Sequence, residues 1–535
     1  MKTLLRLCLG LLALPVEAAE TPPVAVAQEE ARILTPPAPA APRINGPRVY
    51  GVQPGHPFLY RIPCTGERPI QFSAQKLPAG LTLDENTGII SGNVTDRSHR
   101  TYEVVLRAQN QHGAAERVFK IVAGETLALT PPMGWNHWYT HYNRITDVLV
   151  RQAADAMLAS GMADVGYQYV NIDDCWENSA ASNKRQLDPQ RTGPVRDASG
   201  RILPNRLFPD MKALTDYIHA KGLKAGLYTS PGPCTCGGFE GSYEHEAQDA
   251  KQFAEWGFDF LKYDWCSYQF IAEGGDPKTG TIPAWCNWKK NKLDLELYQR
   301  PYRLMADLLK KQDRDIVFNL CQYGMGDVWK WGKEVGGHCW RTGDDLGYEL
   351  DRLFEVALHN AAIGASSGPG GWNDPDYIQI GRIGTARGQG QPRPCGMTPN
   401  EQYAYMSLWC LLAAPLIYSG DMNALDPFTL NVLCNPEVIE IDQDELGRCA
   451  RVVPVDKDTF IMLKELADGS KALGLFNRGL VATRMQVTWS DLGLPGAQRV
   501  RDLWRQQDLG RFAKTFEAAV PRHGGVLIRI WPVTP

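Results

Sequence analysis

Beyond its first twenty residues the chain has no run of ~18 uncharged apolar residues, so no transmembrane helix is expected. It has no excess of either charge. Its 56 Lys and Arg stand against 60 Asp and Glu, a net charge of −4 over 535 residues. With no long basic stripe, the electrostatic footprint of a nucleic-acid binder is missing. No Gly-rich phosphate loop follows the first strand of the α/β region, which weakens a nucleotide-binding reading. No repeat of 20–50 residues marks a solenoid. Apolar residues are not scarce: 44% hydrophobic and 22% charged residues exclude disorder of the chain as a whole.

The N-terminus carries an address. Two positive charges in Met1–Arg6, an apolar run from Leu7 to Pro15 and the small residues of Val16-Glu17-Ala18-Ala19 form a secretory signal pattern over residues 1–19. Secretion or a periplasmic location is therefore expected. Cys8 lies in the apolar run and lacks the context of a lipoprotein site, so twelve of the 13 cysteines remain after cleavage. In an oxidising compartment some can pair.

Residues 20–46 are rich in Pro and Ala and are expected to form an extended, mobile linker. Residues 47–123 change to short alternating segments. Phe58–Ile62 and Tyr102–Leu106 read as strands, and Pro54-Gly55 and Asn86-Thr87-Gly88 read as turns, which together predict a small β-sandwich. From about Thr130 strands and helices alternate. Strands are expected at Gln168–Ile172, Ala225–Tyr228, Phe258–Tyr263, Ile316–Asn319 and Leu416–Ser419. Helices are expected around Met211–Ile218, Ala247–Ala254, Tyr298–Lys311, Arg352–Ala361 and Glu401–Leu412. This rhythm predicts a parallel α/β domain, barrel or doubly wound. From about Arg451 short strands such as Phe460–Leu463 and Val526–Ile530 suggest an antiparallel β-sandwich.

Acidic residues gather at the predicted strand ends: Asp173-Asp174, Asp264, Asp344-Asp345, and Asp374 with Asp376. In a barrel these ends share one face. Any one acid can be a helix cap or a solvated loop residue; four clusters at successive strand ends are harder to dismiss. They suit either a hard-metal site or glycoside hydrolysis, which needs one carboxylate as nucleophile or base and one as proton donor. Trp135, Trp138, Tyr228, Trp340 and Trp372 lie near the same ends, with Lys262 and Arg341 as donors. Aromatic walls with charged hydrogen-bonding groups fit a sugar better than a bare cation.

The motifs Pro132-Met133-Gly134-Trp135-Asn136-His137-Trp138, Val170-Asn171-Ile172-Asp173-Asp174-Cys175-Trp176, Lys262-Tyr263-Asp264-Trp265-Cys266, Trp340-Arg341-Thr342-Gly343-Asp344-Asp345 and Gly371-Trp372-Asn373-Asp374-Pro375-Asp376 occur in order. Together with Phe208–Tyr228 they resemble glycoside hydrolase family 27, over roughly residues 130 to 445. The resemblance implies a (β/α)8 TIM barrel over residues 124–445 and a C-terminal β-sandwich over 446–535. Leu77–Asp84 with Thr87–Gly92 resembles the immunoglobulin-like modules of bacterial secreted proteins.

The resemblance implies a multidomain, secreted, retaining α-galactosidase that needs no cofactor and no metal. Its partner is an α-galactoside oligosaccharide or polysaccharide. It assigns Asp264 as nucleophile, kept ionised by Lys262, and Asp345 as acid/base, with Asp344 as the rival for that role. Asp173 and Asp174 would bind the C4 and C6 hydroxyls, while Arg341 and Asp376 would lie at the C2 edge. Trp138 would pack on the sugar face and Tyr228 would line the pocket. It further implies a disulfide between Cys236 and Cys266.

One motif departs from the family: Cys321-Gln322-Tyr323-Gly324 stands where many members have Cys-Glu-Trp. Gln322 is expected to hydrogen-bond a free C2 hydroxyl, and Gly324 gives the loop room to retreat. Tyr377 is also larger or more polar than the residue often found after Asp376. The alternatives are an α-N-acetylgalactosaminidase or β-L-arabinopyranosidase on the same scaffold, or a catalytically dead carbohydrate-binding protein. Two weaker signals are discounted. His137 and His141 have zinc-like spacing but lack the intervening Glu. Cys234-x-Cys236 is likewise read as disulfide chemistry rather than metal.

Overall fold

The computed structural model describes residues 32–179, 188–279, 293–347, 350–384 and 391–533. The signal pattern of residues 1–19 and the linker up to residue 31 lie outside the described residues.

Eight short strands build the central sheet: β1 (Met133–Asn136), β2 (Tyr169–Asn171), β3 (Lys224–Thr229), β4 (Phe260–Asp264), β5 (Val317–Cys321), β6 (Cys339–Arg341), β7 (Trp372–Asp374) and β8 (Leu416–Tyr418). From β1 to β7 each strand pairs in parallel with the next, and β8 pairs in parallel with β1. A parallel bridge from Ile378, just past β7, to Tyr418 in β8 closes the ring. The alternation that left barrel and open sheet undecided thus resolves as a barrel. Between the strands, α1 (Met211–His219) starts at Asp210, whose carboxylate accepts from the Ala213 N–H, and α2 (Glu246–Trp256) stops at Gly257 with φ +98°. That left-handed turn suits glycine, and a Cβ there would meet Thr215 Oγ1 at 2.9 Å.

α3 (Pro399–Leu412) opens with a capping box between Thr398 and Glu401 and is buried from Glu401 to Leu412. A helix covered all round needs neighbours on two sides. The barrel is one; the C-terminal sandwich is the other. The period-2 alternation of Thr459–Glu465 sends Phe460 and Met462 into the barrel-side core, and Ile461 and Leu463 into the sandwich's own core.

Residues 49–123 form two facing sheets around Tyr60, Phe72, Ile90, Val104, Leu106 and Phe119. This module docks on the barrel's N-terminal mouth. The Lys224 ammonium sits 5.2 Å over the Tyr50 ring, and the Gln53 N–H and the His56 ring both bind the Asp315 carboxylate, at 3.0 and 2.8 Å. The expected mobile linker differs in its described part. Arg43–Ile44 pairs with Cys64–Thr65, and the Leu34 and Thr35 N–H groups donate to Asn431 Oδ1 at 3.1 and 3.2 Å. A Pro/Ala-rich segment is extended, but extension also exposes its backbone donors to any acceptor within reach.

Near the docking face, the Asp259 carboxylate binds His219 Nε2 at 2.7 Å, Arg314 Nη1 at 2.6 Å and the Ala225 N–H at 3.0 Å. Burial opposes its charge, but His219, Lys224 and Arg314 outweigh it and depress the pKa to about 2. Asp259→Ala should cost about 3 kcal/mol, because it strands a largely buried cation. A denaturant midpoint equal to that of the parent would refute this. The depressed pKa also fixes a sign: this contribution is present above about pH 4 and is lost as pH falls toward 2.

Candidate active site

Strand pleating decides what enters the barrel mouth. Lys262 and Asp264 are two apart on β4, so they share a face, and both are buried. Asp173-Asp174 follow β2, Arg341 ends β6, and Asp376 lies two residues past β7. Just beyond the strand ends, the backbone of Cys175, Cys266, Tyr323 and Asp376 adopts positive φ (82°, 38°, 62° and 103°). Such positions are costly for non-glycine residues and tend to cluster at functional rims.

Asp264 is clamped by two phenols. Tyr228 donates to Oδ2 at 3.0 Å and Tyr323 to Oδ1 at 2.8 Å. Cys236 and Cys266 form a disulfide beside it. Burial raises the Asp264 pKa to about 6, against the charge of Lys262 and the Tyr323 hydrogen bond; the charges of Asp345 and Asp173 push it further up. Lys262, expected to help keep Asp264 ionised, lowers its pKa through its charge, while its ammonium makes its direct contact with Asp173 Oδ2 at 2.8 Å. The same oxygen accepts from Asn136 at 2.8 Å, and Lys262 lies over the rings of Tyr228 and Tyr377 at 5.3 and 5.0 Å.

Arg341 Nη2 bridges Asp376 Oδ2 at 3.1 Å and Asp345 Oδ1 at 3.3 Å. Asp376 also accepts from the Tyr139 hydroxyl at 2.6 Å and the Leu346 N–H at 2.7 Å, which holds its strained backbone. The Asp345 side chain is 44% exposed, so an incoming group can reach it. Asp344 faces Arg352, 3.9 Å away. That contact separates the two rivals: Asp345 joins the Arg341 cluster and Asp344 faces a helix.

Asp174 accepts from the Gly237 N–H at 2.6 Å and the Cys175 N–H at 2.7 Å, yet burial still pushes its pKa up to about 7. Asp173 stays ionised despite burial, mainly through Lys262. Trp138 is half-buried at the mouth, its ring 4.6 Å from that of Tyr142. His137 accepts the Asp173 N–H at Nδ1 (3.0 Å) and reaches the Tyr142 carbonyl through Nε2 (3.1 Å), so both ring nitrogens are engaged.

Gln322 is fully buried, and its amide donates to the Met325 carbonyl at 2.7 Å. Gly324 does not loosen this loop. Its N–H donates to the Arg341 carbonyl at 3.1 Å, and a Cβ there would meet Thr342 O at 2.4 Å, so this glycine permits close approach rather than retreat. Sequence reasoning missed Tyr323, Tyr139 and Asn136 as members of the site. The visible signal for Tyr323 was the departure in its own motif; Asn136 lies inside a quoted motif and Tyr139 just after it, and neither carries a charge to mark it.

The family model described as Alpha galactosidase A matches residues 130–277 and 286–444, and the Alpha galactosidase C-terminal beta sandwich domain matches 456–530. An Ig-domain model matches residues 41–124. An alpha-galactosidase of Cyamopsis tetragonoloba is 33% identical over 84% of this chain and 95% of its own length. Alpha-galactosidase A of Cellvibrio japonicus is 33% identical over 76% of this chain and 93% of its own. A crystal structure of a candidate alpha-galactosidase/melibiase from Bacteroides fragilis superposes with a TM-score of 0.81 at 34% identity, covering 93% of this chain and 100% of that one.

Proposed function

Because the chain belongs to the alpha galactosidase A family of glycoside hydrolases, we propose that it is a retaining α-galactosidase with Asp264 as nucleophile and Asp345 as acid/base. The observation that carries these roles is the division of the two carboxylates between different strand ends. Asp264 is buried and fixed through both oxygens by phenols, while Asp345 is exposed and tethered through one oxygen to Arg341. A nucleophile must be held in one geometry; a proton carrier must reach both the leaving oxygen and water. In the first step Asp264 attacks the anomeric carbon as Asp345 protonates the departing oxygen. In the second, Asp345 takes a proton from water, and that water's oxygen displaces Asp264.

The sugar pocket follows from the remaining groups. Asp173 and Asp174 take the C4 and C6 hydroxyls, which favours D-galactose over a pentose without C6. Among the buried side-chain atoms without a hydrogen-bond partner are the acceptor Gln322 Oε1 and the donor Arg341 Nε. One acceptor and one donor suit a free hydroxyl at C2, and a site built that way discriminates strongly against analogues that cannot make both bonds. The N-terminal signal pattern supports export of the enzyme; among the described residues no helix is long and apolar enough to cross a membrane.

The test compares kcat/KM for the p-nitrophenyl α-D-galactoside, its N-acetylgalactosamine analogue and the β-L-arabinopyranoside. The galactoside should win by at least about tenfold, a transition-state preference of about 1.4 kcal/mol. A win by the acetamido sugar overturns the C2 argument, and a win by the arabinoside overturns the C6 argument.

A further inference from the structure

Tyr323 stands where the sequence departs from its relatives' motif, and its side chain touches both halves of the reaction. Its hydroxyl donates to Asp264 Oδ1 at 2.8 Å, while Tyr228 takes the other carboxylate oxygen. Its ring lies under the Arg341 guanidinium at 5.8 Å, and that guanidinium holds Asp345. The backbone at Tyr323 has φ +62° and is followed by Gly324, pinned against β6, so the ring is held by a strained, locked turn rather than a loose loop.

We propose that Tyr323 is a positioning residue that speeds breakdown of the glycosyl-enzyme intermediate, by binding the ionised Asp264 more tightly than its ester. The inference rests on Asp264 being the nucleophile. In glycosylation an Asp264 lone pair forms the bond to the anomeric carbon, the glycosidic C–O bond breaks, and the Asp345 proton goes to the leaving oxygen. The carboxylate loses charge, so the Tyr323 hydrogen bond weakens. In deglycosylation water gives a proton to Asp345, its oxygen bonds to the anomeric carbon, and the ester C–O electron pair returns to Asp264. Charge grows on the atom pair that Tyr323 faces, so the hydrogen bond strengthens as the barrier is crossed. A donor to a forming carboxylate thus opposes the first step slightly and helps the second.

Tyr323→Phe removes one oxygen and keeps the ring. On an activated aryl α-galactoside kcat should fall about tenfold, with KM falling in proportion and kcat/KM staying within about threefold, the scale of one hydrogen bond to a charged group. A pre-steady-state burst of aryl alcohol should approach one equivalent per site. The acidic limb of kcat/KM, set by ionisation of the free enzyme's nucleophile, should move up by about one pH unit. A parallel fall of kcat and kcat/KM with no burst, or no change in any of these, overturns the proposal. Trapping parent and variant with 5-fluoro-α-D-galactosyl fluoride, followed by peptide mapping, separates the two readings. Label on Asp264 without a burst defeats only the role of Tyr323. Label on another residue defeats the nucleophile assignment beneath it.

Discussion

Asp264→Gly should lower turnover of an unactivated α-galactoside by at least about 10⁴-fold, a barrier increase of more than 5 kcal/mol. Among the described residues no second carboxylate stands in the same place. Asp173 is tied to Lys262 and Asn136, and Asp376 to Arg341 and Tyr139. The glycine leaves a small space flanked by the Tyr228 and Tyr323 hydroxyls, both of which then face an empty position. Azide is small, anionic and able to accept from both. With an activated aryl galactoside it should restore part of the rate and yield the β-galactosyl azide, the product of a single displacement. A rescued product of α configuration, or full activity in Asp264→Asn, would contradict the assignment. Fold loss is a separate matter, checked by the variant's unfolding midpoint.

Asp345→Asn should show an effect that depends on the leaving group. Asparagine keeps the size of the side chain but cannot donate a proton to a departing sugar oxygen. Raffinose-type substrates, whose leaving oxygen is strongly basic, should lose about 10³-fold or more, at the upper range of general acid catalysis. An aryl substrate with an acidic phenol needs little protonation to leave. Its first step should survive, and hydrolysis of the intermediate should become limiting because no base remains to activate water. Asp344→Asn serves as the control. Its side chain faces Arg352, so kcat/KM on both substrates should change less than about threefold, since an exposed ion pair contributes little. If Asp344→Asn instead reproduces the leaving-group dependence, the two aspartates have been assigned the wrong way round.

Much of this site was legible because strand pleating and strand ends are local properties. Lys262 and Asp264 share a face by their spacing of two, and the acids after β2, β6 and β7 follow from where the strands stop. Other features required distances between segments far apart in sequence. Lys262 acts by charge on both Asp264 and Asp173, and only the fold shows that its direct contact is with Asp173. Barrel closure rests on one bridge, Ile378 to Tyr418, that no periodicity announces. Tyr323 is uncharged and reads as one more aromatic until its hydroxyl is found on Asp264. The Pro/Ala-rich segment before residue 46 reads as linker by composition, yet its backbone groups are captured by helices nearly 400 residues away.

That capture has a temporal consequence. The Leu34 and Thr35 N–H groups seat on Asn431, and Asn435 Nδ2 donates to the Thr35 hydroxyl at 3.0 Å. At about 5–20 residues per second, a ribosome makes the seat on the order of tens of seconds after the strap. The immunoglobulin-like module, with its own core, can fold early in that interval and hold Ala40 through the Glu67 N–H and Asn110 Nδ2, but Leu34 and Thr35 then have nothing to bind. The latch therefore closes after the barrel's last helices exist, as one of the final events of assembly. A protease present during synthesis should cut between residues 32 and 38 in nascent chains and spare the same bonds in the finished enzyme. Resistance at that segment thus reports that the barrel is complete.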